Sequence, residues 1–113
     1  VAVVAACPPA SAGPRWSGLE RLPEVIACGV DPRCPRESFR EDPERPGAFL
    51  AFPHARPIPG VPSDRNFSGP SLAAARLTGF AGRIIQAVGP RSADELRDLL
   101  ALRAGRPALR PRR

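Results

Sequence analysis

The stretch RNFSGPSLAAARLTGFAGRIIQAVGP, Arg65 to Pro90, decides the fold. A polar, glycine-containing run stops at Ser71. Small and apolar residues then continue until Gly89-Pro90, a pair that ends helices. Leu72, Ala73, Leu77, Phe80, Ala81, Ile84, Ile85 and Val88 leave little polar face. Arg76 and Arg83 are the only charges, and their spacing puts them on one side. The pattern predicts a helix from Ser71 to about Val88, apolar enough to be buried. Gly79 and Gly82 each cost about 1 kcal/mol of helix propensity. With Ala73, Ala74 and Ala75, they predict close approach of neighbouring backbones.

The preceding chain reads as strands separated by proline-rich connections. Val1 to Ala6 (VAVVAA) and Pro23 to Val30 (PEVIACGV) are apolar runs without alternation, the pattern of strands buried on both faces. Ala48 to Phe52 (AFLAF) is a third, shorter strand. The segments Cys7–Gly18, Asp31–Gly47 and Pro53–Pro70 read as loops. After the long helix, Ser92 to Gly105 forms a second one. Ser92 and Glu95 fit a capping box, and Gly105 with Pro107 closes the helix. Three strands and two helices with long connections predict an α/β fold on a parallel sheet.

Composition narrows the function. The 113 residues suffice for one small domain. All 17 basic residues are arginine, and the net charge is +6. The bias towards Ala, Arg, Gly and Pro also fits a shifted reading frame, but strand, cap and helix signals in a sensible order argue against that. Much of the charge sits in the tail Arg103–Arg113. We read residues 105–113 as an Arg/Pro-rich disordered tail and residues 1–104 as the domain. Without aromatic interleaving, the charge alone does not favour nucleic acid as partner. No stretch is long and apolar enough to span a bilayer, and no basic segment precedes VAVVAAC as in a signal peptide. Cys7, Cys28 and Cys34, with His54, could make up a Cys₃His zinc set. No Cys-x-x-Cys pair supports it, and Cys7 and Cys28 sit in apolar runs as small core residues would. We expect no metal and no cofactor.

Ser71, at the start of an apolar helix, has two readings. As an N-cap it accepts a hydrogen bond from an early helix N–H. As a nucleophile it attacks a carbonyl, and the unpaired N–H groups and positive dipole end stabilise the oxyanion.

The segment Phe67–Ile84, FSGPSLAAARLTGFAGRI, resembles the nucleophile segment of the subtilisin-like serine proteases, Ser-Gly-Thr-Ser-Met-Ala-Ala-Pro-His-Val-Ala-Gly. Ser68, Gly69, Ser71, Ala73, Ala74 and Gly79 match, and Pro70 stands for the threonine. Weaker likenesses follow in the family's order: VAVVAAC, then LPEVIACGVD (Leu22–Asp31), RESFRE (Arg36–Glu41) and AFLAFPHARPIPG (Ala48–Gly60). The resemblance extends to about Ala104. It implies part of a three-layer subtilisin-like fold, a parallel sheet with a buried helix carrying the serine. It implies a serine endopeptidase acting on peptide or protein substrate through an acyl-enzyme on Ser71. The family's aspartate and histidine segments would lie upstream, so Ser71 is the one triad member that matches. The resemblance thus makes the chain the C-terminal part of a catalytic domain, with the upstream half as its natural partner. Such a part should expose a large apolar patch.

Two departures weaken the catalytic expectation. Where the family has its oxyanion asparagine, this chain has Pro8 and Pro9, which carry no N–H and no side-chain donor. The Ser71 backbone N–H would be the remaining donor. His54 does not stand at the family's histidine position, and a triad rebuilt from His54 and Asp64 would need a different arrangement. The alternatives are a catalytically inactive protease-like domain that binds peptides or proteins, and an arginine-rich nucleic-acid binder.

Overall fold

The computed structural model describes residues 2–6, 22–45 and 47–105. Its strands are β1 (Val3–Ala6), β2 (Val25–Val30), β3 (Phe39–Glu41) and β4 (Phe49–Ala51), followed by helices α1 (Pro70–Val88) and α2 (Ala93–Arg103). The four strands form one sheet in the order β1-β2-β4-β3. β1, β2 and β4 run parallel, and β3 runs antiparallel to β4. The fold is mixed α/β with a mostly parallel sheet, as the apolar runs predict.

β2 is the centre. Val25 to Gly29 are all buried, because this strand has neighbours at both edges. Alternate residues point to opposite faces of a strand. Ile26 and Cys28, with Phe49 and Ala51 of β4 and Phe39 of β3, form one core cluster with Ala73, Leu77, Ala81, Leu96 and Leu100 of the helices. Both helices therefore bury their apolar sides in one cluster with these strand residues. Ala27 and Ala48 form a separate small cluster.

Three expectations are corrected. First, Val1–Ala6 is not a strand buried on both faces. β1 is an edge strand; Val4 is half-buried towards the core, and Val3 is 49% exposed. Its apolar sequence is that of a central strand, but among the described residues its only partner in the sheet is β2. Second, Asp31–Gly47 is not wholly a loop, since it contains β3. Arg40 of β3 pairs with Asp31 at 2.6 Å, just beyond the end of β2. Cys34 Sγ donates to Ser38 O at 3.5 Å in the same turn. Third, α1 is not buried nearly all round. Its fully buried stripe is Ala73, Leu77 and Ala81, one residue per turn, and Phe80, Ile84 and Ile85 pack beside it half-buried. A Cβ added at Gly79 or Gly82 would meet nothing within 4 Å, so neither glycine marks a close backbone approach.

The second helix matches its signals. Ser92 caps it, its hydroxyl accepting from the Glu95 N–H at 3.2 Å, with the reciprocal contact of the capping box present. The Gly89 N–H donates to Ile85 O at the end of α1, with φ 83°. Gly105, assigned above to the tail, is tied to β3: its N–H donates to Phe39 O at 2.7 Å. The rest of the Arg/Pro tail lies outside the described residues. Among the described residues no helix is long and apolar enough to cross a membrane. The exposed large apolar residues are distributed over several elements: Val3, Leu22, Ile58, Val61, Phe67, Val88 and Leu102.

Candidate functional site

The start of α1 stands beside the carboxyl end of β4. After Ala51 the chain leaves the sheet, loops through residues 53–69 and returns. The loop is closed at its base by backbone bonds. The Gly69 N–H donates to Pro53 O at 2.9 Å and the Ala55 N–H to Phe67 O at 3.0 Å, and His54 and Ser68 form an antiparallel bridge. The Asn66 side-chain amide adds a bond to Arg56 O at 2.8 Å. A single 3₁₀ turn, Ser63–Arg65, lies within the loop.

The N-cap reading of Ser71 is overturned. Gly69 occupies the cap position, Pro70 follows it inside the helix, and no side chain caps α1. Proline suits the first helical position, where its missing N–H costs nothing. That moves the helix start ahead of the serine. Ser71 is exposed in the first turn, with no hydrogen-bond partner for its Oγ among the described residues. The Leu72 and Ala73 N–H groups both turn back to Gly69 O, at 3.1 and 3.4 Å. Among the described residues the Ser71 N–H has no such acceptor.

Gly69 makes this geometry possible. Its φ of 133° and ψ of −178° belong to a region that glycine alone occupies readily. A Cβ there would find open space, so any cost of a side chain is backbone strain alone. Gly69→Ala should therefore lose about 1–3 kcal/mol. Gly79→Ala, in an exposed helical position with equally open space, should gain up to about 1 kcal/mol. Paired urea titrations of the two variants check both signs. Equal effects would contradict the backbone assigned to Gly69.

The other matched positions separate by role. Ala73 is completely buried in the core, Ala74 is half-buried, and Ser68 and Gly79 are exposed. Cys7, Pro8 and Pro9, the segment of the expected oxyanion donor, lie outside the described residues. His54 is exposed, and its ring stands edge-on to Phe52 with centroids 5.2 Å apart. His54 and Asp64 line one cleft of about 480 Å³, but no hydrogen bond joins them, and Ser71 is not among the side chains lining it. No rebuilt triad is assembled. Among the described residues no three His, Cys, Asp or Glu side chains gather as a metal would require. Cys28 and Cys34 are buried and free of disulfides. Burial, with a further push from Asp31 against the opposing pull of Arg40, raises the Cys34 thiol pKa and keeps it in the unreactive form.

One constellation was not visible in the sequence. The Arg36 and Arg76 guanidinium groups both lie over the Phe52 ring, at 4.9 and 5.6 Å from its centroid. Arg76 Nη2 donates to His54 O at 2.6 Å, fastening the loop to the second turn of α1. Burial, then the charges of Arg36 and Arg56, push the Arg76 pKa below the ordinary arginine value.

Compared with family models, curated proteins and solved structures, the chain matches none of them.

Proposed function

We propose that this chain is the nucleophile-bearing part of a subtilisin-like serine endopeptidase domain, with Ser71 as nucleophile. The observation that carries the reading is Ser71 itself. It is exposed in the first turn of the helix that follows the parallel strands β1, β2 and β4, beside the carboxyl end of β4. A serine serving as a cap would have its Oγ bonded to the helix; this one has no hydrogen-bond partner among the described residues, and no side chain caps α1. In the proposed reaction Ser71 Oγ attacks the peptide carbonyl. The Ser71 N–H and the positive end of α1 face the oxyanion that forms. The proton on Oγ needs a base, and the chain's single histidine, His54, makes no hydrogen bond to Ser71. The base and its orienting carboxylate would come from the upstream segments that the resemblance implies.

The second reading is a protease-like domain that binds without cleaving, favoured by that missing base. Fluorophosphonate labelling separates the two. The 113-residue chain should label no more than its Ser71→Ala variant, because an unassisted hydroxyl is a weak nucleophile. A longer protein that carries this chain behind an Asp and a His segment should label strongly and lose all labelling in Ser71→Ala. One that lacks an upstream Asp and His segment, or that fails to label despite them, would establish the binding reading instead.

A further inference from the structure

We infer that the cleft between Phe52, His54 and Phe67 is an anion site that takes the carboxylate of an acidic peptide. The inference does not depend on Ser71 being a nucleophile. Of three arginines from three separate segments, Arg36 lines this cleft, Arg76 lies over the Phe52 ring of its wall, and Arg56 stands between the lining residues Ala55 and Pro57; Arg36 and Arg56 both disfavour the charge on Arg76. Like charges do not collect without cost, and four of the arginines elsewhere in the fold are paired, while Arg33, Arg65, Arg83 and Arg103 are exposed. Arg40, Arg45, Arg91 and Arg97 each have a carboxylate partner. Among the described residues, none of Arg36, Arg56 and Arg76 is in an ion pair. Two of their guanidinium nitrogens, Arg36 Nη1 and Arg76 Nε, are buried with no acceptor among the described residues. An unmet buried donor of this kind is costly, more so when charged. An oxyanion is the group that satisfies both the charge and the donors, and a planar carboxylate matches the guanidinium fork.

The walls give the rest of the occupant. Arg36 lines the cleft together with Val61 and Phe67. Phe67 is 77% exposed, the most exposed of the large apolar side chains, so the cleft pairs a cationic end with an apolar flank. Asp64 is the one acid on the wall, and it is exposed. A bare inorganic anion would use only the cationic end. An acidic residue next to an apolar one uses both.

The test is a titration of the whole 113-residue chain, with isotopic labelling of the arginine Nε groups, followed by NMR. The probes are an N-acetylated Phe-Glu amide, the matching Phe-Gln amide and inorganic phosphate. The acidic peptide should bind saturably with a Kd below about 1 mM and shift the Arg36 and Arg76 Nε signals. The glutamine peptide and phosphate should each bind at least about tenfold more weakly, since each lacks one of the two contacts. Arg36→Gln should weaken the acidic peptide about tenfold, and the exposed Arg56→Gln about two- to fivefold, with the remaining amide spectrum unchanged in the second variant. Equal binding of the two peptides, phosphate binding as tightly as the acidic peptide, no saturation, or unaltered affinity in Arg56→Gln would each overturn the proposal.

Discussion

Phe49→Ala should remove about 3–5 kcal/mol of stability, the range for deleting a large buried aromatic side chain. Phe49 is 1% exposed at the meeting of the sheet and the helices. Its ring packs edge-on to Phe39 at 5.8 Å, and Phe39 in turn touches Phe80 of α1 at 4.9 Å. The aromatic chain thus links β4, β3 and α1. Truncation leaves a hole that rigid strands cannot close, and it strips Phe39 of one neighbour. Domains of this size hold about 5–15 kcal/mol in total, so the loss is a large share of it. In urea, with a slope of about 1–3 kcal/mol per molar, the midpoint should fall by at least about 1 M. Phe49→Leu should lose much less, because it restores most of the volume. A midpoint for Phe49→Ala within error of the parent would show that β4 is not where the core closes.

The second large effect is expected at Arg97. This side chain donates to Pro23 O at 2.7 Å, to Val25 O at 2.6 Å and to Asp94 at 2.6 Å. The first two bonds join α2 to the entry of β2 across more than seventy residues of sequence. Asp94 is largely exposed, so its pairing contributes little. The carbonyl bonds matter, because hydrogen bonds from a charged donor are worth about 1.5–3 kcal/mol each. Arg97→Ala should cost about 3–6 kcal/mol on that basis, and Asp94→Ala under about 1 kcal/mol. Amide hydrogen exchange gives the location. Protection should drop first at the start of β2 in Arg97→Ala. A uniform drop across the sheet would show that Arg97 acts on global stability and does not fasten that strand end.

Much of this architecture is legible in the sequence for identifiable reasons. VIACGV has no polar residue to place outside, and it is the central strand. Ser92 and Glu95 signal the start of α2 because a capping box is local, and Gly89-Pro90 ends α1 for the same reason. β3 is not legible. Phe39-Arg40-Glu41 buries only its phenylalanine, and it is a strand because β4 pairs with it, not because its own residues prefer one. The helix starts one residue earlier than the sequence suggests, and its cap is Gly69 in place of Ser71. Pro70 sets the first helical position, and Gly69 turns the chain into it, which leaves Ser71 uncapped. The exposure of β1 depends on sheet order, which six apolar residues cannot encode. Nor does anything near Arg36, Arg56 or Arg76 signal that they meet, since their convergence is a property of the folded sheet edge and the returning loop.

Among the described residues all four strands precede residue 52, and both helices follow residue 69. The loop at residues 53–69 is therefore the covalent bridge between the sheet and its helical cover, and its exposed stretch around Gly60 lies outside the bonds that close its base. A single cut in that stretch would divide the molecule into a sheet piece and a helix piece. Each would carry half of a shared apolar surface, with Ile26 and Phe49 on one and Leu77 and Leu100 on the other. The bonds at the loop base would then join two polypeptides in place of one. In that sense the chain is two complementary parts held on a tether, and the nicked form should persist as a non-covalent heterodimer.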